Sequence, residues 1–361
     1  MKPGQTSRQR IQYLTTSDGV RLAWAQAGDG PLLVKASNWL SHLEYDWDSP
    51  VWRHWLRFFS DHFRFVRYDE RGCGMSDWNA GDLSLDRWVE DLEAVVDAAK
   101  PTGPVILLGI SQGAAICIAY AVRHPERVSH LVLHGPYARG NWRRSAELNK
   151  QQYRAMVDLT RIGWGKDNPT FRQVFTSRFI PGGSAEQLQW FNELCLKTTT
   201  GDIAARLFEA RGWVDVGDLL AKVQTPTLVL HAREDEITPV SEGRVVAAGI
   251  RGAQFVELDS RNHIVLEHET AWARFQDAVL EFLDADQTAR EDPAFSALST
   301  RERQILSLIV DGRSNLDIAE RLGISEKTVR NHTSNLFDKL GVWTRAQAMV
   351  FARDRGFRSS P

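Results

Sequence analysis

The chain has 361 residues, 43% hydrophobic and 25% charged, which is enough apolar material for a large core and more length than one ordinary domain uses. No apolar run approaches the roughly eighteen residues of a membrane span, and no basic segment followed by an apolar stretch opens the chain as a secretory signal would, so a cytoplasmic setting without a membrane is expected. The net charge of −2 is unevenly spread: residues 296–361 hold 11 Lys and Arg against 7 Asp and Glu, a net of +4, which leaves −6 on the rest. A small basic end on an acidic body suggests a nucleic-acid module attached to a different kind of domain. Cys73, Cys117 and Cys195 lack metal-ligand spacing and fit a reducing compartment, and neither a metal nor a cofactor is expected.

Residues 11–28 predict two short strands turned at Asp18-Gly19. Residues 31–36 and 64–68 are apolar strands. Between them, residues 49–62 have amphipathic helical spacing through Val51, Trp52, Trp55, Phe58 and Phe59. Ser84 to Ala99 predicts a second helix. Residues 105–108 form a strand that runs into Gly109-Ile110-Ser111-Gln112-Gly113, and a helix-like run follows at once. A strand over 128–134 comes next. From 136 to 218 helical, aromatic-rich patterns dominate, as in a helical cap inserted over the carboxyl edge of a sheet. Residues 225–231 and 254–258 resume the strands, and 269–283 is a closing helix. Strands alternating with helices imply a parallel, doubly wound sheet. The polar stretch 284–297, with Pro293, reads as a linker.

The pentapeptide around Ser111 is a nucleophile elbow by context: strand, sharp turn, helix. The residues two before and two after the serine must lack a Cβ for the turn to close. A serine hydroxyl is a weak nucleophile at neutral pH and needs a histidine base oriented by a carboxylate. Asp235, after the strand ending near His231, is the candidate acid, with Glu234 and Glu236 as acidic neighbours. His263, after the strand ending near Leu258, is the candidate base, with His134, His231 and His268 as competitors.

These residues resemble the α/β-hydrolase fold family over roughly 10–285. Tyr68-Asp69-Glu70-Arg71-Gly72-Cys73-Gly74-Met75-Ser76 is similar to that family's D-x-R-G-x-G-x-S turn, and Arg123-His124-Pro125-Glu126-Arg127-Val128 to its H-P-E-R-V run. The resemblance implies a triad of Ser111, Asp235 and His263, with Asp235 favoured by its place four residues before Pro239. It also implies an oxyanion hole from the backbone N–H groups of Trp39 and Gln112. The family usually has His-Gly where this chain reads Ser37-Asn38-Trp39, and losing one hole donor typically costs about 10²–10³ in rate, so slow turnover is expected. Asn38, His42 and Trp47, at and past that turn, are candidates to line the ligand pocket. His134, at a strand end, is another candidate, with an ordinary buried histidine as the alternative.

Residues 298–356 contain four helix patterns with explicit punctuation: capping boxes begin at Ser299 and Ser314, Ser325 and Thr344 cap the later two, and Gly312, Gly323, Gly341 and Gly356 are stops. The second and third helices are separated by Leu322-Gly323-Ile324-Ser325, the tight turn of a helix-turn-helix. On the third, Val329, Leu336, Phe337 and Leu340 form an apolar stripe, while Lys327, Arg330, Asn331, Ser334 and Asp338 recur on the opposite face, as a major-groove reader needs. The runs Leu298-Ser299-Thr300-Arg301-Glu302, Ser314-Asn315-Leu316-Asp317-Ile318-Ala319 and Glu326-Lys327-Thr328-Val329-Arg330-Asn331-His332 resemble the LuxR-type helix-turn-helix family. That resemblance implies a dimer on double-stranded DNA, with Lys327, Thr328, Arg330 and Asn331 toward the groove and Ser314, Asn315 and His332 on phosphates.

The expected organisation is thus an α/β-hydrolase domain over 1–283 with its cap, a linker over 284–297 and an all-α four-helix DNA-binding domain over 298–361. The expected function is a transcription regulator whose hydrolase domain binds, and slowly hydrolyses, a small apolar ester or lactone. The alternative is a genuine esterase or lactonase with an autoregulatory DNA-binding module.

Overall fold

Asp18-Gly19 turns the chain back on itself, Gly19 at φ +85, and joins β1 (Arg10–Thr15) to β2 (Arg21–Ala27) as an antiparallel pair. The computed structural model describes residues 9–355 and 357, apart from 80, 145, 168, 169, 291, 292 and 296. Six strands follow: β3 (Leu32–Lys35), β4 (Arg64–Tyr68), β5 (Val105–Ile110), β6 (Val128–His134), β7 (Thr227–Ala232) and β8 (Gln254–Leu258). They make one eight-stranded sheet in the order β1-β2-β4-β3-β5-β6-β7-β8. The β1–β2 and β2–β4 pairs are antiparallel and the remaining pairs parallel. Parallel strands covered on both faces need unbroken apolar runs, and β5 and β7 are buried at every residue.

The stripe expected over 49–62 appears as helix Arg53–His62, which packs Trp55 against Phe275 of helix Thr270–Arg290 with ring centroids 4.5 Å apart. Burying such a ring stabilises the fold by about 1.5–3 kcal/mol. The order of the strands positions the site. From β3 the chain crosses to β4 on one side and then returns to β5 on the other. The loops leaving β3 and β5 therefore part at a topological switch point, where a crevice opens outside the carboxyl ends of the strands.

The D-x-R-G-x-G-x-S turn has a physical reading. Asp69 accepts from Ser41 Oγ at 2.8 Å, from Leu43 N at 3.0 Å and from Met75 N at 2.9 Å. A Cβ on Gly74 would sit 2.3 Å from Asp69 Oδ2, so only glycine fits. Arg71 clasps Asp91 through Nε and Nη2 at 2.7 and 2.6 Å.

Between β6 and β7 lie helices Asn141–Arg144, Glu147–Gly163, Thr170–Phe179, Ala185–Thr198 and Gly201–Gly212, then the 3₁₀ turn Gly217–Lys222, which runs past the expected cap end at 218. The cap is tied to the sheet's loops: His263 N donates to Phe179 O at 2.9 Å, and Gly74 N to Thr198 O at 2.7 Å.

One expectation is corrected. The closing helix does not stop at 283 but runs Thr270–Arg290, through the first half of the stretch read as a linker. Polar residues do not end a helix; 284–290 contain neither Gly nor Pro, and Pro293 comes only after the last turn. Linker positions 291, 292 and 296, Gly356 and residues 358–361 lie outside the described residues.

By its internal contacts the chain divides into Met1–Val279 and Leu280–Pro361. The second unit holds helices Thr300–Val310, Asn315–Leu322, Glu326–Leu340 and Arg345–Asp354. Ser299 with Glu302, Ser314 with Asp317 and Thr344 with Gln347 form reciprocal capping boxes, and Gly323 and Gly341 close their helices in the left-handed conformation. Ile305, Leu306, Ile309, Ile318, Val329 and Leu336 are wholly buried in its core. Phe295 is buried there too, against Phe357 at 4.9 Å, so this core begins ahead of residue 298. Among the described residues no helix is long and apolar enough to cross a membrane.

Candidate active site and DNA-reading helix

Ser111 sits between β5 and helix Gln112–Arg123 at φ 54, ψ −119, a conformation that costs a non-glycine residue about 1–3 kcal/mol. Its neighbours permit it. A Cβ on Gly109 would lie 2.5 Å from Ala114 Cα and 2.8 Å from Gly113 O, and one on Gly113 would lie 3.0 Å from Ser37 O. The second contact shows the elbow pressed against the segment that leaves β3. Ser111 N donates to His134 O at 2.8 Å, which ties the turn to the end of β6.

Next along the same edge, His263 Nδ1 donates to Asp235 Oδ2 at 2.6 Å. The other carboxylate oxygen accepts from Ile237 N at 2.8 Å and Thr238 N at 3.0 Å. Burial alone would raise the Asp235 carboxyl, but the imidazole's charge and hydrogen bond, with the Thr238 N–H, hold it below its ordinary value. Glu234 and Glu236 are exposed, and it is Asp235 that meets the imidazole. His263 is buried, and its Nε2 has no partner. Gly135, at φ +58, leaves the ring its room: a Cβ there would lie 3.0 Å from His263 Cε1. Two of the competing histidines are otherwise engaged, and the third, His268, is exposed. His134 Nε2 donates to His263 O at 2.9 Å, and burial pushes its pKa down to about 3. His231 Nε2 donates to Thr238 O at 2.8 Å, and burial lowers its pKa as well.

Trp39 and Gln112 line one small cavity with Ser111, of about 60 Å³. Gln112 opens its helix, so its N–H has no intrahelical acceptor and lies at the positive end of the helix dipole, which favours an anion. The turn without a glycine is braced from below: Asn38 Nδ2 donates to Trp39 O at 3.2 Å, and the buried Lys35 ammonium donates to Asn38 Oδ1. Burial brings Lys35 down to about 8.

The four residues expected to line the ligand pocket lie elsewhere, and this expectation is corrected. Asn38 is a brace, its amide bonded to Lys35 and to the Trp39 carbonyl. His42 caps helix Leu43–Trp47, accepting from Tyr45 N at 3.3 Å. Trp47 packs beside Arg67, whose guanidinium carbon is 5.9 Å from its ring centroid. His134 is core, against Trp55 and Phe275 at 5.3 and 5.7 Å. None of the four lines either cavity at the site.

The pocket walls come instead from the cap. Tyr153, Phe179, Phe208, Arg144 and Arg211 reach the Ser111 cavity. It adjoins a larger one of about 410 Å³ that shares Asn141, Arg144, Tyr153, Phe179, Phe208 and Ile237 with it. Glu70, the variable position of the D-x-R-G turn, accepts from Arg211 Nη2 at 2.7 Å and from Gln112 Nε2 at 3.1 Å. Helical spacing could mark the cap aromatics as buried but could not say which of them face Ser111.

In the second unit, helix Glu326–Leu340 buries Val329, Leu336 and Leu340 and leaves Lys327, Arg330, Asn331, Ser334 and Asp338 exposed. Arg330 Nη1 donates to Glu326 Oε1 at 2.9 Å, with both side chains largely in solvent. Thr328 shares a hydrogen bond with the cap residue Ser325 at 2.8 Å, and His332 is half-buried. Ser314 is the exposed cap of helix Asn315–Leu322, and Asn315 accepts from Arg345 Nη1 at 3.4 Å.

Residues 55–269 match the family described as serine aminopeptidase, S33, and residues 296–352 match the bacterial regulatory proteins of the luxR family. The AB hydrolase superfamily protein YisY of Bacillus subtilis is 29% identical over 259 residues, which are 70% of this chain and 91% of YisY. The spore germination protein GerE of the same organism is 53% identical over 53 residues, 15% of this chain and 72% of GerE. A hydrolase from Pseudomonas aeruginosa of known crystal structure superposes with a TM-score of 0.63 at 26% identity, over 78% of this chain and 99% of that one. The chain therefore belongs to the serine aminopeptidase S33 family of α/β-hydrolase-fold proteins and carries a LuxR-type helix-turn-helix, which makes it a DNA-binding regulator with a hydrolase-fold domain.

Proposed function

We propose that the hydrolase-fold domain of this regulator binds a small ester or lactone, cleaves it slowly at Ser111, and biases operator binding by a dimer of the helix-turn-helix module. The observation that carries this is the buried His263, held by Asp235 at 2.6 Å with its Nε2 unpartnered, on the strand-end edge that presents Ser111. His263 Nε2 takes the hydroxyl proton as Ser111 Oγ forms a bond to the ester carbonyl carbon. The Gln112 and Trp39 N–H groups hold the resulting oxyanion. Collapse breaks the carbon–oxygen bond of the leaving alcohol, which carries off the proton from His263. Water then adds to the acyl-enzyme as His263 takes its proton, and His263 gives that proton to Ser111 Oγ as the acyl bond breaks, so one ester and one water become an acid and an alcohol.

A fluorophosphonate tests this directly. It should label wild-type protein at Ser111, fail to label Ser111→Ala, and label His263→Ala far more slowly. Labelling elsewhere, or none in folded protein, overturns the hydrolytic half of the reading. Whether bound ligand or turnover is the signal is read by operator binding at fixed salt. A ligand shifts a two-state protein only by its difference in affinity for the two states. Ser111→Ala should therefore keep its response; loss of response with ligand affinity unchanged makes turnover part of the switch.

A further inference from the structure

The cavity that holds Ser111 is lined by two guanidinium groups and, among the described residues, by no carboxylate. Arg211, on helix Gly201–Gly212, is 6% exposed. Its Nη2 donates to Glu70 Oε2 at 2.7 Å, while its Nε and Nη1 have no partner. The ring of Trp39 lies 4.4 Å from its guanidinium carbon and fixes the plane. Arg144 enters from helix Asn141–Arg144 across the Tyr137 ring, at 5.1 Å. Its Nη1 forms an ion pair with Glu242 Oε2 at 3.6 Å, too long for a hydrogen bond, so it has no hydrogen-bond acceptor, while its Nη2 donates to Asn141 Oδ1 at 3.4 Å. Two arginines that line one small space beside the nucleophile candidate thus carry three buried nitrogens without the hydrogen-bond acceptor that buried donors require, the two on Arg211 and the one on Arg144.

A neutral acyl chain would leave those donors unmet and place alkyl groups against guanidinium charge. A carboxylate would accept from both arginines, in charge-assisted bonds strengthened by the surrounding aromatic walls. Glu70 already neutralises Arg211, so an incoming anion meets a pair that is preorganised rather than a bare charge. The small cavity can take a short acyl group, and the adjoining 410 Å³ space can take a larger leaving group.

We propose that the ligand bears a carboxylate on its acyl side, held by Arg211 and Arg144: a half-ester, or the matching lactone acid, of a short dicarboxylic acid. Its turnover rests on the reading of Ser111 above; its binding does not.

The test uses full-length protein and phenyl half-esters of dicarboxylic acids of about four to six carbons, each beside its methyl-capped, uncharged diester. Affinity is measured by calorimetry on Ser111→Ala, which cannot consume the probe. One half-ester should bind at least about tenfold tighter than its diester. The advantage should collapse when Arg144→Gln is added, and again when Glu70→Gln and Arg211→Gln are added together, a pairing that leaves no unpaired buried glutamate. If that pairing does not fold, Arg211→Lys replaces it, since it keeps a partner for Glu70 and loses the planar fork. Diesters that bind as tightly as every half-ester, or a preference that survives both sets of substitutions, overturn the proposal. A half-ester preference in binding, with no hydrolysis and no fluorophosphonate labelling of wild type, would leave the carboxylate site standing and remove Ser111 as nucleophile.

Discussion

Asp235 holds one imidazole nitrogen of His263 at 2.6 Å while its second oxygen is held by two backbone N–H groups, so the carboxylate is fixed on both sides. Asp235→Asn keeps the size but can turn an amide N–H toward His263 and favour the wrong tautomer. Fluorophosphonate labelling of Ser111 should then fall by about 10³–10⁴, with little change in overall fold. Labelling rate beside a thermal melt is the measurement; a rate within tenfold of wild type would take Asp235 out of this role.

The two elbow glycines should differ in their tolerance. Gly109→Ala drives a methyl into backbone at 2.5 and 2.7 Å, where nothing can swing aside, whereas Gly113→Ala meets the Ser37 carbonyl at 3.0 Å. Gly109→Ala should destabilise the hydrolase domain by at least about 2 kcal/mol and abolish labelling, and Gly113→Ala should do distinctly less, as denaturant unfolding will show.

Acid should reveal the buried histidines. Burial pushes His54 down to about 4 and His134 to about 3, so the unfolded chain takes up protons near 6.5 before the folded one does. Their contribution is whole above pH 6.5 and is lost as the pH falls below it, by about 1.4 kcal/mol per unit for each. Burial raises Asp46 to about 7 and Asp91 to about 6; these are protonated first in the folded state, so they favour folding as the pH falls and oppose the histidines. The wild-type curve is therefore shallow, and a difference is needed to see one group. The stability deficit of His54→Gln relative to wild type should shrink by about 2 kcal/mol between pH 7.5 and pH 5. An unchanged deficit would show that His54 titrates normally.

On the DNA side, Arg330 is tethered to Glu326 only in solvent, where such a bridge is worth little, so it is free to leave for a base or a phosphate. Arg330→Ala should weaken operator binding by about 1–3 kcal/mol if it reads a base. A phosphate contact would instead weaken every sequence alike and lower the salt slope by about one. Affinity measured on operator and scrambled DNA across salt separates the two, and wild-type affinity on both removes Arg330 from the interface.

The sheet and the four-helix module were legible because their signals are local. Unbroken apolar runs, the glycines around Ser111, and the serine and threonine caps each constrain their own few residues. The pairing of Asp235 with His263 was legible for a similar reason, since strand ends bring those loops to one edge. The pocket was not. Asn38, His42 and Trp47 are near Trp39 in sequence, but Trp39 alone of these lines the cavity, while Asn38 bonds Lys35, His42 caps a helix and Trp47 packs beside Arg67. The residues that do line it, Arg144 and Arg211, sit on different helices of the insertion, and no periodicity says that two arginines 67 positions apart converge on one serine. The linker failed for another reason: helix propensity over 284–290 carried the preceding helix onward where polarity alone suggested a break.

The two joined cavities are unequal, about 60 Å³ at Ser111 and about 410 Å³ beyond, and their shared wall includes Phe179, Phe208 and Ile237. A molecule that fills them is judged strictly at one end and leniently at the other. On the function proposed above, a gene switch built on this shape would answer to a chemical headgroup while forgiving the tail attached to it. Its promoter would then respond to a family of compounds with one functional group in common, and a screen that varies the tail first would find many weak inducers before it found the rule they share.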